Sequence, residues 1–279
     1  MKKAIVIMLT GAMMLAAVAC GGGSGSSSTP AAPAEETQTE ETEQKEETPE
    51  AEVEETTEEE VNIPEDPMTY EEYAAAEVDS EVVIEGAIQA KQAYYGEQST
   101  ASVYLQDETG GAYFLYNLPC TEKEYELMEI GKKIKVKGYK AEWSGEVEVV
   151  DAIWMFVDGE YIAEAEDVTA LLGTDELIKK QNKKVVFKGV KVEPIGEDGN
   201  AAFLYNYDGS GAEGDDLYFN VSVNGQTYSF TVESYLCGPD TDVYKAVKDF
   251  KVGDVIDLEG FLYWYEGANP HITSVKAAE

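Results

Sequence analysis

The feature that most constrains the fold is a stretch that occurs twice. Residues 130–152, IGKKIKVKGYKAEWSGEVEVVDA, return in altered form at 252–274 as VGDVIDLEGFLYWYEGANPHITS. Aligned without a gap, Gly131, Ile134, Val136, Gly138 and Gly145 fall on Gly253, Ile256, Leu258, Gly260 and Gly267. Aliphatics spaced two apart between charged residues describe a half-buried strand, and a glycine inside one marks a bulge or sharp coil. The charges are not shared, because Lys135 and Lys137 face Asp257 and Glu259. The repeat therefore encodes backbone shape, and the body is one small β-rich unit used twice.

The rest of the chain fits this duplication. In the first unit, Thr69 with Glu72 and Thr121 with Glu124 have capping-box spacing, so short helices start at about 70 and 122. Strands are expected at 81–91, 101–107, 111–117, 132–140 and 146–156, with Gly86 inside the first. The second unit repeats the order, with a leading helix at 174–180 and strands at 184–192, 202–208, 216–223, 251–263 and 271–275. Its inner helix spans 241–250, and Gly189 answers Gly86. The Asn224-Gly225 turn adds an excursion, 226–233, which the first unit lacks.

The first 67 residues read differently. Lys2 and Lys3 precede an apolar run from Ala4 to Val18, too short to span a bilayer and suited to a signal peptide. Ala17-Val18-Ala19-Cys20 at its end resembles a bacterial lipoprotein lipobox, with Ala17 where Leu is usual. That resemblance implies cleavage before Cys20, a diacylglyceryl thioether on its sulfur, and tethering at the outer face of a membrane. A Gly/Ser tract follows, and residues 29–67 hold sixteen acids against Lys45 alone, with no aromatic residue. Such a segment cannot bury enough apolar surface to offset its chain entropy, so 20–67 is expected to be a disordered spacer reaching about 40 Å.

Charge and cysteines narrow the partners. Residues 68–279 contain 17 lysines and 40 acids, a net charge of −23, and the whole chain has no arginine. Nucleic-acid affinity comes largely from neutralising phosphates, so this balance argues against nucleic acid, anionic membrane surfaces and polyanions. The acidic charge favours a neutral or cationic partner: a glycan, a peptide or an envelope protein. Cys120 and Cys237 belong to different units and sit in no CxxC, so they are read as separate thiols.

Five short strands, a helix between the third and fourth, and glycines in the first and fourth describe a small Greek-key barrel. Here the chain resembles the OB-fold, the oligonucleotide/oligosaccharide-binding barrel. The residues that carry the resemblance are 83–87, 131–138 and 143–148, and in the second unit 186–189 and 253–260. The expected architecture is mainly β with short helices, two tandem five-stranded OB-like barrels at 68–165 and 166–279. It is similar to tandem OB-fold lipoproteins of bacterial envelopes. The resemblance implies ligand contact on the strand 2–3 face and the 1–2 and 4–5 loops. Those positions hold Tyr94, Tyr95, Tyr104, Tyr113, Tyr116 and Trp143 in the first unit. In the second they hold Phe203, Tyr205, Tyr207, Tyr218, Phe219, Tyr263, Trp264 and Tyr265.

Other constellations point to less. Lys133, Lys135 and Lys137 form a stripe that Glu146 and Glu148 on the next strand could satisfy. Asp208, Glu213, Asp215 and Asp216 gather among glycines and could hold calcium, though without EF-hand spacing. His271 is read as a structural hydrogen-bonding residue, and no catalytic motif occurs. The expected function is a non-catalytic, lipid-anchored binding or scaffolding module without a cofactor. The alternatives are extracellular single-stranded nucleic-acid binding and a calcium-stabilised adhesion module.

Overall fold

The computed structural model describes residues 63–197 and 199–278. The expected signal peptide, Cys20 and the spacer as far as residue 62 lie outside the described residues. Among the described residues no helix is long and apolar enough to cross a membrane. The end of the expected spacer already belongs to the body, since Lys135 donates to the Glu65 carbonyl at 2.7 Å.

The first unit holds α1 (Tyr70–Ala75), β1 (Glu81–Lys91), β2 (Thr100–Gln106) and β3 (Ala112–Pro119), then α2 (Glu122–Leu127), β4 (Lys132–Trp143) and β5 (Glu146–Glu160). The strands close into a barrel in the order β1-β2-β3-β5-β4, with β3 and β5 running parallel at the closure. Both capping boxes form, Thr69 with Glu72 and Thr121 with Glu124. Lys140 on β4 reaches back to donate to the carbonyls of Tyr73, Ala74 and Ala76, which fixes the end of α1 to the barrel. Inward residues such as Ile84, Val103, Leu115, Ile134, Val136 and Val149 make the core.

The second unit holds β6 (Glu166–Asp167), β7 (Lys184–Glu193), β8 (Leu204–Tyr205), β9 (Leu217–Val223), β10 (Gln226–Val232), α3 (Asp242–Lys248), β11 (Val255–Phe261) and β12 (His271–Ala277). The pairing order is β6-β7-β11-β12-β10-β9-β8, and an added β7–β9 pairing closes the middle five strands into a second barrel. The protein is thus two tandem OB-like barrels.

Three expectations for this unit are corrected. The leading helix is a pair of 3-10 turns, Thr169–Leu171 and Leu177–Lys180. The strand expected at 202–208 shrinks to the two residues of β8, at a sheet edge. The excursion after Asn224-Gly225 is the barrel's own third strand, β10, which pairs along its length with β9 and runs parallel to β12 as β3 does to β5. The true insertion is therefore the loop between β7 and β9.

The repeat glycines now have reasons. Gly131 and Gly253 enter their strands at φ of 95° and 97°, a conformation costly for residues with a Cβ. Gly138 and Gly260 sit where the pairing of strands four and five shifts register. A Cβ on Gly138 would lie 2.8 Å from the Val150 carbonyl oxygen, and one on Gly260 only 2.1 Å from that of His271. The lysine stripe is also satisfied, but by other acids than expected: Lys133 pairs with Glu108, Lys135 with Glu85 and Lys137 with Glu81. Register places Lys137 opposite Ile153, whereas Glu146 and Glu148 lie farther along beside Trp143 and Ala141.

Candidate binding cleft

Alternation along β2 sends Val103 and Leu105 into the first barrel and Tyr104 outward, onto the face where the OB resemblance implies a ligand. Tyr104 meets the second barrel instead. Its ring stacks on Phe261 at 4.4 Å and lies 4.7 Å from Phe114, and all three are buried. The Tyr104 Oη is 3.2 Å from His271 Nδ1, and the His271 ring stacks on Tyr263 at 4.3 Å. Burial lowers the His271 pKa to about 3, so the imidazole is neutral. Polar bonds cross at the same place: Gln92 Nε2 donates to Glu233 Oε2 at 3.0 Å, and Ala93 N–H to the Tyr235 carbonyl at 2.6 Å.

The two copies of the strand 4–5 turn also pack on each other. The Trp264 indole lies over Gly145, where a Cβ would come within 2.8 Å of Cδ1. The Trp264 backbone N–H donates to Glu146 Oε2 at 2.9 Å, and the Glu266 N–H donates to the Ser144 carbonyl at 2.8 Å. Gln181 and Asn182 seal the junction by donating to the carbonyls of Gly145 and Val147. Glu146 is fully buried here, its Oε1 without a hydrogen-bond partner and the Asn182 amide beside it. Burial pushes its carboxyl up to about 9, and those of Glu148 and Glu233 up to about 7.

What stays open is the equivalent face of the second barrel, a cleft of about 720 Å³. The insertion after β7 supplies Ile195 and Tyr207, and the hairpin supplies Tyr218 from β9 and Ser229 from β10. The strand 4–5 turn adds Tyr263, Tyr265 and Asn269, and Trp143 comes across from the first barrel to lie 5.0 Å from Tyr265. No lysine lines it. A second hollow of about 370 Å³ opens at the barrel junction, between Tyr95, Tyr116 and Tyr235 above Gln92 and Glu233.

The aromatic residues singled out from the sequence therefore divide. Trp143, Tyr218, Tyr263 and Tyr265 converge on the larger cleft, with Tyr207, and Tyr95 and Tyr116 on the smaller. Tyr104 is sealed between the barrels. Tyr113 lies inside the first barrel against Tyr73, its hydroxyl donating to Asp107. Tyr94 packs on Tyr125, Tyr205 and Phe203 on each other against the second core, and Trp264 on the turn. Phe219 is buried in that core. Sequence reasoning missed Ser229, Asn269 and Tyr235. The alternation of β10 could have found Ser229 had that strand been placed in the barrel.

The four acids of the insertion do not converge. Asp208 accepts from Ser210 N–H, Asp215 from Ala212 N–H and Asp216 from Ser234, while Glu213 pairs with Lys248. Among the described residues no group of three His, Cys, Asp or Glu is placed to hold a metal ion. Cys120 and Cys237 are separate buried thiols, each raised to about 11 by burial.

No family model and no curated protein matches the chain. Among solved structures it is similar to a deletion mutant of the single-stranded DNA binding protein from Thermus aquaticus, at 15% identity over 71% of this chain and 94% of that one, with a TM-score of 0.24. A replication protein A heterotrimer bound to ssDNA matches at 11% identity over 74% and 51%, with a TM-score of 0.31. The Ifi202 HINa domain in complex with 20 bp dsDNA matches at 13% over 71% and 98%, with a TM-score of 0.32. Likeness at this level bears on neither ligand nor partner.

Proposed function

We propose that the protein is a non-catalytic binding module, held by a lipid on Cys20 at the outer face of a membrane, whose larger cleft takes an uncharged glycan. The composition of the cleft wall carries this reading: Trp143 with Tyr207, Tyr218, Tyr263 and Tyr265, beside Ser229 and Asn269, and no lysine. Aromatic rings offer flat faces to the apolar sides of sugars, while hydroxyl and amide groups meet their hydroxyls. A polyphosphate would need cations in the wall, and among the described residues the wall has none. His271 supports binding rather than catalysis, because its Nδ1 is engaged with Tyr104 and burial holds the ring neutral.

The test is retention of the purified protein on an array of neutral, amino-sugar and acidic glycans, with cationic peptides and single-stranded DNA as further arms. Neutral glycans are expected to retain it, and Trp143→Ala to lose most of that signal. Retention by peptides alone, or a gel shift of single strands at low ionic strength, would replace this reading. Calcium and chelator are expected to leave the melting temperature unchanged. Labelled palmitate is expected to enter the native chain in a bacterial host, and Cys20→Ala to abolish incorporation.

A further inference from the structure

The two hollows lie along one face of the same strand. On β10, Ser229 lines the larger cleft, while Glu233, four residues on and just past the strand's end, forms the floor of the smaller. Residues two apart on a strand share a face, so Ser229, Thr231 and Glu233 form one row about 13 Å long. Thr231 in the middle is buried and donates its hydroxyl to Asn269, itself part of the larger cleft. Tyr218 sits directly across from Thr231 on β9. Its phenol feels the charge of Glu233, and Tyr263 feels both Glu233 and Tyr116. Tyr218 and Tyr263 of the larger cleft thus lie toward Glu233 and Tyr116 of the smaller hollow.

We infer that the two hollows are consecutive subsites for one linear, uncharged polysaccharide strand. It runs from Trp143 and Tyr207 over Tyr218 and Tyr263 to Tyr95, Tyr116 and Tyr235. This rests on the glycan reading and adds what that reading leaves open, that the ligand is a chain and that both barrels hold it. The smaller hollow shares the larger one's aromatic rings and neutral polar groups, with the Glu233 carboxyl on its floor. Its rings are well exposed, Tyr116 at 47% and Tyr235 at 66%, and Gln92, Gln98 and Asn117 supply neutral amides. Among the described residues no lysine lines it either. The barrel junction produces the alignment: the Gln92–Glu233 bond and the Ala93–Tyr235 bond hold the first barrel's wall of the smaller hollow against the end of β10.

The test is calorimetric titration of the full chain with two length series, β-1,4-linked glucose oligomers and β-1,4-linked N-acetylglucosamine oligomers. Affinity for at least one series is expected to climb with length and level off once the oligomer spans both hollows. Paired substitution Tyr116→Ala with Tyr235→Ala is expected to remove the gain from length, roughly three- to tenfold, while leaving the shortest binding oligomer unaffected. Both side chains project to solvent, and an unchanged melting curve verifies the fold. Trp143→Ala is expected to weaken all lengths alike. Binding that does not depend on length, or a length dependence that survives the paired substitution, overturns the continuous site while the single-cleft reading stands. No binding by any oligomer or by the parent polysaccharides overturns both.

Discussion

Glu146 shows how one side chain can report on the whole junction. A carboxylate there would be buried with one backbone N–H, that of Trp264, and an unpartnered Oε1. Burial raises the pKa from 4.5 to about 9, against the lowering effect of the Trp264 N–H and the Asn182 amide. The folded state therefore holds a proton that the unfolded chain releases. Its contribution to stability is complete below about pH 4.5 and is lost as the pH rises through 9. Glu148 and Glu233 act in the same direction up to about pH 7. His271 acts oppositely, because its depressed pKa lowers stability as the pH falls from 6.5 toward 3. Thermal melts across pH 5 to 9 are expected to show a falling melting temperature, and Glu146→Gln to flatten much of the slope above pH 7. An unaltered slope in that variant would mean that Glu146 is ionised in the folded protein.

At the level of elements, the fourth-strand glycines Gly138 and Gly260 do matching work in the two barrels. Each allows a bulge at which the strand coils tightly enough to close a five-stranded ring. Gly138→Ala would meet a Val149 methyl at 2.7 Å and the Val150 carbonyl oxygen at 2.8 Å, a milder approach than at Gly260. Gly260→Ala would drive its methyl into backbone, the His271 carbonyl and Ile272 Cα. Chemical denaturation is expected to show a loss of about 1–3 kcal/mol for the first and a larger loss for the second. Equal losses would contradict the close backbone approach at Gly260. These elements were legible in the sequence because glycine placement and period-two alternation are local properties. Of the elements misread, β10 mattered most. Asn224-Gly225 correctly marked a hairpin, but local sequence does not say which hairpin of a barrel it is. The longer insertion before β9 mimicked an extra strand.

For the whole molecule, the decisive fact is that the first barrel spends its outward aromatic face on the second. Tyr104, Phe114 and Phe261 form a buried cluster between the barrels, and the paired turns at Gly145 and Trp264 lock the other side. Tyr104→Ala removes a fully buried ring and leaves His271 Nδ1 without its partner, a loss of about 3–5 kcal/mol. Calorimetry is expected to show one cooperative transition for the native body and two for this variant; a single transition in both would mean that other contacts suffice to couple the barrels. Sequence alone determined the duplication, the barrel class, the capped helices and the strongly acidic surface. Each follows from spacing, glycine position or composition. It also named most of the aromatic residues that line the open cleft. Only the tertiary structure decided which of them face solvent. Tyr104 and Tyr218 occupy similar outward positions on their strands, and a strand's alternation distinguishes inside from outside of its own barrel only. Whether the outside is water or another barrel depends on contacts between residues more than a hundred positions apart.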